Sequence, residues 1–314
     1  MRKRAGWLGA LLVAIIGLLT LLGFLADYAY LFDLAAHFRL QYVIVLIFCL
    51  VLFILLKKRE LLWVSAVILA INLWPIAPYY WPNQTTSLTQ LGAPAKVLLM
   101  NVLSSNTNGA AVRAQITRFE PDLLVLEEVT PRWFDDLSDL SEQYPYQIHE
   151  VREDNFGIWV LSKYLMEDEE IVAYGPTQLP AATFRCRIGR QLVQVIAMHP
   201  MSPGSPAGVR WRNEQLREIA RRYKETDDPL LVVGDLNTTS FAPVFNELCR
   251  TLELKDSRYG FGLQCTWPAW SFNPLMIALD HCLVSEEVEV THREVGGYVG
   301  SDHLPVYTEI RLPQ

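Results

Sequence analysis

Several short apolar runs of this sequence lead into polar residues of the types that bind metal ions or phosphate groups. Residues 123–126 lead to Glu128, and residues 230–233 lead to Asp235 and Asn237. Asp235 and Asn237 are two residues apart, so their side chains point to the same face of an extended strand. Five further residues of these types lie within or next to other apolar runs: Asn101, His199, Asp280, Asp302 and His303.

These polar residues are more informative as a group than as single residues. A lone acid at the end of a strand is more typical of a turn or a helix cap than of an active site. Several polar residues at the ends of successive strands are harder to explain as caps, because functional residues lie mostly on the loops that leave strands. Carboxylate and amide oxygens with two imidazoles, and no cysteine cluster, favour a hard cation such as Mg²⁺ or Mn²⁺ over zinc.

The elements that must position these residues belong to a two-sheet α/β sandwich. Seven apolar, β-branched runs predict strands at residues 97–102, 123–126, 157–161, 192–198, 230–233, 278–284 and 306–310. Helical patterns cover residues 110–119, 209–223 and 241–249, the last behind a cap-like Ser240. Many strands with few helices favour the sandwich over a doubly wound sheet. The acidic residues 167–170 are interpreted as a solvated turn.

The first 77 residues have the composition of a membrane unit. Residues 5–26 carry no charge and, at about 1.5 Å per residue, could span a bilayer core of about 30 Å. Residues 40–56 and 61–77 are two further uncharged apolar segments. The alternatives are a signal peptide for the first segment and a buried helical hairpin for the other two. We predict three transmembrane helices in residues 1–77, a linker in 78–94 and an α/β domain in 95–314.

The distribution of charge predicts an orientation. Lys and Arg cluster at residues 2–4 and 57–59, whereas the loop between the first two spans has one Arg against Asp27 and Asp33. Because basic loops stay in the cytoplasm, we expect a multi-pass protein of the cell (inner) membrane with residues 95–314 outside the cytoplasm. Tyr79, Tyr80 and Trp81 are then expected at the outer interface of the bilayer.

The α/β domain is acidic. Residues 1–94 carry seven Lys/Arg and three Asp/Glu, whereas residues 95–314 carry twenty Lys/Arg and thirty-one Asp/Glu. This balance disfavours a non-specific nucleic-acid binder, which needs positive charge to release counterions. The one basic helix face, with Arg212 among its five arginines, is interpreted as a solvated surface. A Cys249–Cys265 disulfide is conceivable in an oxidising compartment.

At its polar motifs the sequence resembles the endonuclease/exonuclease/phosphatase superfamily, the metal-dependent fold of DNase I, abasic-site endonucleases, sphingomyelinases and inositol-polyphosphate 5-phosphatases. The resemblance covers residues 95–312, with the matching elements in the order of the family. The most specific are Gly-Asp-Leu-Asn at 234–237 and Ser-Asp-His at 301–303. The sequence departs from the family at Glu127, where Gln is common, and at Leu103, where abasic-site endonucleases tend to carry an acid.

The resemblance implies roles for the polar residues in phosphate-ester hydrolysis. Glu128 is the expected metal ligand, Asp302 a second acid near the metal, and Asn101 a residue that orients one of the two. Asp235 is expected to orient and deprotonate the attacking water, and Asn237 to hold a phosphate oxygen. Asp280 is expected to keep His303 cationic. His199 is the expected proton donor or phosphate contact on the side of the leaving group.

The substrate stays open among several phosphate esters: nucleic acid, a phospholipid headgroup or an inositol phosphate. Trp267, Trp270 and Phe272 could stack a base or enter lipid, and core packing is an equal alternative for Trp267. A location beside the lipid bilayer makes a lipid substrate attractive. The alternative function is a non-catalytic membrane scaffold that binds a phosphorylated partner.

Overall fold

The computed structural model describes residues 2–81, 91–270 and 273–313. Its helices are α1 (Arg2–Gly23), α2 (Tyr30–Ala36), α3 (Arg39–Leu56), α4 (Arg59–Leu73), α5 (Gly109–Phe119), α6 (Pro131–Asp136), α7 (Pro206–Tyr223) and α8 (Pro243–Thr251). Its strands are β1 (Ala95–Asn101), β2 (Leu123–Glu127), β3 (Tyr146–Glu150), β4 (Ile158–Ser162), β5 (Met166–Ala173), β6 (Pro180–Ile188), β7 (Gln191–Met198), β8 (Leu230–Asp235), β9 (Leu254–Asp256), β10 (Asp280–Ser285), β11 (Glu289–Val295) and β12 (Val306–Arg311).

The strands form two six-stranded sheets that pack face to face, as expected for the two-sheet sandwich. The first sheet has the order β11-β12-β1-β2-β4-β3, and the second has the order β5-β6-β7-β8-β10-β9. Apolar side chains of both sheets, such as Val125 and Val233, form the central core. Helices α5 and α6 cover the outer face of the first sheet, and α7 and α8 cover that of the second. The α/β domain therefore has four layers.

Each of the seven predicted strands is present, but three other details of the prediction are wrong. Residues 167–170 are not a turn: they lie in β5, which pairs with β6 through a bulge between Glu167 and Glu170. β5 is the edge strand of its sheet, so solvated acidic side chains are compatible with a paired backbone. Helix α8 begins at Pro243 behind Ala242 rather than behind Ser240, because proline fits the first helical position, where no N–H partner is needed.

The third error concerns α7. Arg212 is fully buried, whereas the five arginines of this helix are interpreted from the sequence as a solvated surface. The reason is that Arg212 has a partner on another part of the chain, Asp33, to which it donates two hydrogen bonds. A charged side chain is buried only where such a partner compensates its desolvation.

The amino-terminal helices pack against one another and leave large apolar side chains exposed. By length and composition, α1 and α3 could each cross a membrane. Helix α4 has 15 residues, which at about 1.5 Å per residue is shorter than a bilayer core of about 30 Å. Exposed apolar residues on these helices include Leu11, Leu18, Phe48, Leu55 and Trp63. Such an extensive apolar surface is typical of contact with lipid or with another protein.

The end of the amino-terminal unit packs on the α/β domain. Tyr79 is 2% exposed, and its hydroxyl donates a hydrogen bond to Asp256. The guanidinium of Arg258 lies over the Tyr79 ring at 4.8 Å. Tyr79 is therefore not an interface anchor, because its ring is enclosed by protein, whereas Tyr80 and Trp81 are exposed. Within the proposed linker, residues 82–90 lie outside the described residues.

Candidate active site

The sheet topology explains why the polar residues meet. β1 and β2 are parallel, so Asn101 at the end of β1 and Glu128 directly after β2 lie at the same edge of the first sheet. In the second sheet β10 is antiparallel to β8, and their register pairs Asp280 with Asp235. The start of β10 and the end of β8 therefore lie side by side, as β strands of opposite direction require. His199 follows β7, which is parallel to β8.

Asp235 is at the centre of the site and contacts both candidate histidines. Its Oδ2 lies 3.4 Å from His199 Nε2 and 3.4 Å from His303 Nε2. Burial raises the pKa of Asp235, but the positive charges of His303 and His199 outweigh this effect and hold it below its usual range. Burial lowers the pKa of His199, yet the hydrogen bond and the charge of Asp235 raise it to about 9. Asp235 is therefore an anion flanked by two cations at neutral pH.

His303 also bonds to Asp280. The distance from His303 Nδ1 to Asp280 Oδ2 is 2.8 Å, and both side chains are almost fully buried. Burial lowers the pKa of His303, but the charges of Asp280 and Asp235 raise it to about 10. The backbone N–H of His303 donates to Ser301 Oγ, and this hydroxyl donates to the carbonyl oxygen of Asn101. The Ser-Asp-His turn is thus fastened to the end of β1 beside the site.

Glu128 and Asn101 form the other side of the site. Asn101 Nδ2 donates to Glu128 Oε1 at 3.1 Å and approaches Asp235 Oδ2 to 3.5 Å. The second carboxylate oxygen of Glu128 accepts from the backbone N–H of Ser104. Glu128 has a positive φ of 61°, a conformation that is uncommon for residues other than glycine and that is often found at functional sites. The amide of Asn101 therefore holds the Glu128 carboxylate next to Asp235.

A carboxylate without a role in the sequence prediction, Glu127, supports the end of β8. Glu127 is fully buried, and its two oxygens accept from the backbone N–H of Asp235 at 3.2 and 3.0 Å. Burial raises the pKa of Glu127 to about 8. A methyl group at Gly234 would overlap the carbonyl oxygen of Met198 and approach Glu127 Oε1 to 2.7 Å. Side chains alternate between the two faces of β2, and this alternation turns Glu127 toward the neighbouring sheet. The same alternation could have identified Glu127 from the sequence.

Asn237 and Asp302 lie at the borders of this cluster. Asn237 Nδ2 donates to the carbonyl oxygen of Pro200, and its backbone N–H donates to Asp235 Oδ1. Asp302 Oδ2 accepts from the indole N–H of Trp267 at 3.1 Å, so this carboxylate is turned toward Trp267 and is not hydrogen-bonded to Asn101 or Glu128 in the described residues. Trp270 is 68% exposed. Phe272 lies outside the described residues.

The donor set fits a divalent cation. Four carboxylates other than Glu127, whose raised pKa keeps it protonated at neutral pH, belong to the site or adjoin it, against two imidazoles: Glu128, Asp235, Asp280 and Asp302, with His199 and His303. Asp280 Oδ1 and Asp302 Oδ1 are buried and have no hydrogen-bond partner among the described residues. Buried negative charge without compensation is costly, and oxygen ligands suit Mg²⁺ or Mn²⁺. Asp235, Asp280 and His303 each offer one ligand atom, and these three atoms lie within 4.8 Å of one another. The positive charge of His303, however, already compensates the charge of the two aspartates.

The cysteines take no part in this site. All five lie within the described residues and are free thiols, and Cys282 is buried in β10 as expected. The conceivable Cys249–Cys265 disulfide is therefore not formed. Burial raises the pKa of both thiols, which keeps them protonated and unreactive.

Several solved structures have the same fold at low sequence identity. TDP2 of D. rerio, solved with a single-strand DNA product, has a TM-score of 0.58 and 16% identity, and the match covers 70% of this chain and 99% of that one. The endonuclease/exonuclease/phosphatase of Bacteroides vulgatus has a TM-score of 0.58 and 18% identity, with 70% and 100% covered. Sphingomyelinase C of Streptomyces griseocarneus has a TM-score of 0.52 and 19% identity, with 69% and 99% covered. No curated protein sequence matches the chain.

The two-sheet sandwich with acids and histidines at one edge is a DNase I-like fold. The chain matches the Endonuclease/Exonuclease/phosphatase family over residues 98–303, which is more than half of its length, and it belongs to this family. The expectation drawn from the polar motifs is thereby confirmed for the family and for the fold.

Proposed function

We propose that this protein is a membrane-anchored phosphoesterase that depends on Mg²⁺ or Mn²⁺, with Glu128, Asp235 and His303 as its central residues. The observation that carries the proposal is the cluster around Asp235. One carboxylate there contacts two histidines, and an amide links it to a second carboxylate, Glu128. A structural cap or turn would not need this arrangement, and phosphate-ester hydrolysis uses each part of it.

The residues of the chain have distinct tasks in this proposal. Glu128 is the candidate ligand of the metal, with Asp302 as a second acid, and Asn101 keeps the Glu128 carboxylate in place. The bound ion supplies charge neutralisation at the phosphate and at the leaving oxygen. Asp235, which is ionised at neutral pH, orients the attacking water and accepts its proton. His199 donates a proton to the leaving oxygen, since its raised pKa keeps it protonated.

His303 and Asn237 would stabilise the phosphate itself. The imidazolium of His303, held by Asp280, places a positive charge beside Asp235, where negative charge develops on the phosphate oxygens. The amide nitrogen of Asn237 carries two hydrogens, and only one is needed for its bond to Pro200. The second hydrogen is available to a phosphate oxygen.

The substrate favoured by the structure is a phosphate ester presented at a bilayer surface. Gln41, at the start of the candidate span α3, donates hydrogen bonds to the carbonyl oxygens of Pro274 and Met276. Residues 274–276 therefore lie beside this span. In the same part of the chain, Leu275 is 62% exposed and Trp270 is 68% exposed. Exposed apolar side chains beside a membrane helix suit contact with headgroups and acyl chains. The acidic α/β domain, by contrast, is a poor electrostatic match for a nucleic acid.

The test uses the full-length protein in detergent or nanodiscs. We expect turnover of bis(p-nitrophenyl) phosphate with Mg²⁺ or Mn²⁺, loss of turnover in EDTA, and a steep rise in the metal requirement for Glu128→Gln. Activity that survives EDTA would remove the metal from the proposal, and absence of turnover with either ion would favour the scaffold function. A panel of phospholipid vesicles, plasmid DNA, RNA and inositol phosphates then identifies the substrate class.

A further inference from the structure

The amino-terminal unit reaches the active-site loop through a buried ion pair. Asp33 belongs to α2, between the candidate spans α1 and α3, and it is 1% exposed. Arg212 of α7 donates from Nη2 to Asp33 Oδ1 at 2.6 Å and from Nη1 to Asp33 Oδ2 at 3.2 Å. This two-point contact fixes the plane of the guanidinium, which a single hydrogen bond would leave free to rotate.

The same guanidinium holds the backbone of the candidate phosphate-binding residue. Arg212 Nη1 donates to the carbonyl oxygen of Asn237 at 3.0 Å. Asn237 has a positive φ of 50°, a conformation that persists only where the surroundings impose it. The remaining hydrogen bonds of Arg212, from Nε and Nη2, go to Asn213 Oδ1. Arg212 thus connects one carboxylate of α2 with one carbonyl of the active-site loop.

A second residue of the amino-terminal unit holds the same loop two residues further along. His37 Nδ1 lies 3.0 Å from Thr239 Oγ1, and His37 Nε2 lies 3.3 Å from Asp33 Oδ2. Burial raises the pKa of Asp33, but the hydrogen bond with His37 and the charge of Arg212 outweigh it and lower the pKa below its usual value. Asp33 therefore stays ionised although it is buried.

This network contributes little to the stability of the fold, but it restricts the conformation of the groups that it contacts. Removing a carboxylate and a guanidinium from water costs several kcal/mol, so a buried pair contributes little net stability compared with apolar residues of the same size. Loss of one partner, however, leaves the other charge buried and uncompensated. A pair of this kind keeps its neighbours in one arrangement, here the backbone from Asn237 to Thr239.

We propose that Asp33 is a positioning residue of the phosphoesterase site, which acts through Arg212 to hold the Asn237 loop in its phosphate-binding conformation. The kinetic effects expected below rest on the proposed phosphoesterase function. It makes α2 a component of the active site, so the α/β domain without its amino-terminal unit has an incompletely ordered loop.

The experiment compares Asp33→Asn with Asp27→Asn in the full-length protein. Asp27 is the matched control because it lies in the short helical turn before α2 and pairs with Arg217 of the same helix α7 at 2.9 Å, with side chains that are 39% and 34% exposed, where an ion pair contributes little. For Asp33→Asn we expect kcat/KM for bis(p-nitrophenyl) phosphate to fall about 10- to 100-fold, with KM raised about fivefold or more. Asp27→Asn should stay within about twofold of the unmodified protein. Asp33→Glu should recover part of the loss.

The rise in KM separates positioning from a structural role, because partial unfolding lowers the amount of active enzyme and leaves KM unchanged. If Asp33→Asn lowers kcat only in proportion to the folded fraction and leaves KM unchanged, the proposal is overturned. If Asp33→Asn does not fold, Arg212→Lys takes its place. It keeps a positive charge at this position but removes the two-point contact that fixes the guanidinium beside the carbonyl oxygen of Asn237, and an unchanged KM in this variant would count equally against the proposal.

Hydrogen exchange distinguishes failure of this inference from failure of the proposed function. We expect Asp33→Asn to accelerate amide exchange in residues 236–242 about tenfold or more, with the amides of β8 unchanged. This measurement needs no turnover. Absence of turnover in the unmodified protein would refute the phosphoesterase function alone, whereas unchanged exchange in residues 236–242 would refute the positioning role of Asp33 whatever the activity.

Discussion

The hydrogen bond between Asp280 and His303 predicts a specific change in the pH dependence of turnover. Asp280→Asn keeps the shape of the side chain and removes its charge. A hydrogen bond to a charged group contributes about 1.5–3 kcal/mol, and one pKa unit corresponds to about 1.4 kcal/mol. The pKa of His303, which is about 10 in the intact site, should therefore fall by about 1–2 units. Asp235, at 3.4 Å, still raises it.

The direction of the change follows from which form of His303 is active. The imidazolium form contacts the phosphate, so activity declines as the pH rises through the pKa of His303. Because Asp280→Asn lowers this pKa, the basic limb of the profile should move to lower pH by about 1–2 units. The same loss of about 1.5–3 kcal/mol predicts that kcat falls about 10- to 100-fold.

The assay is the pH dependence of kcat/KM, which reports the ionisations of the free enzyme. Glu294→Gln is the matched control, because Glu294 pairs with His292 at 3.2 Å near the protein surface, where the side chains are 32% and 48% exposed. It should leave the basic limb in place. A basic limb that does not move in Asp280→Asn would refute the reasoning and would leave Asp280 a purely structural residue.

Three further changes test other parts of the site and the membrane topology. His199→Gln should slow the hydrolysis of alkyl phosphodiesters at least tenfold more than that of p-nitrophenyl esters, because only an alkoxide needs a proton on departure; equal losses would exclude His199 as the donor. Gly234→Ala should lower Tm and expression sharply, since the methyl group meets Met198 and Glu127; normal thermal unfolding would contradict this. A reporter fused after residue 314 should be active only outside the cytoplasm, and one in residues 57–60 only inside it; the reverse pattern would overturn the predicted orientation.

The sequence predicted the fold and the strand-end residues because these depend on local pattern. Strands such as β2 and β8 are buried along their whole length, so they are continuous apolar runs that end abruptly in polar residues. An acid within such a run, Asp280, needs a nearby partner, and the resemblance to the family implied that this partner is His303. β5 follows no such pattern, because an edge strand exposes its side chains.

What the sequence could not predict depends on contacts between distant parts of the chain. Arg212 and Asp33 are separated by 179 positions, and nothing in the helical pattern around Arg212 distinguishes it from its solvated neighbours. Tyr79 is a similar case: its position after an apolar segment is typical of a membrane interface, yet Asp256 and Arg258 enclose it. Burial of a polar or amphipathic side chain follows from its partner, and local periodicity does not identify partners.

The acidic edge strand β5 has a consequence for how copies of this protein behave at high density in a membrane. An unpaired strand edge offers its N–H and C=O groups to the same edge of another copy, a common route to aggregation. In β5 the residues 168–170 are exposed acids, and Glu167 precedes them. Edge-to-edge association would bring the carboxylates of two copies together, so it is opposed by charge repulsion. The protection should weaken at acidic pH, where carboxylates are neutral, and at high ionic strength, where their repulsion is screened.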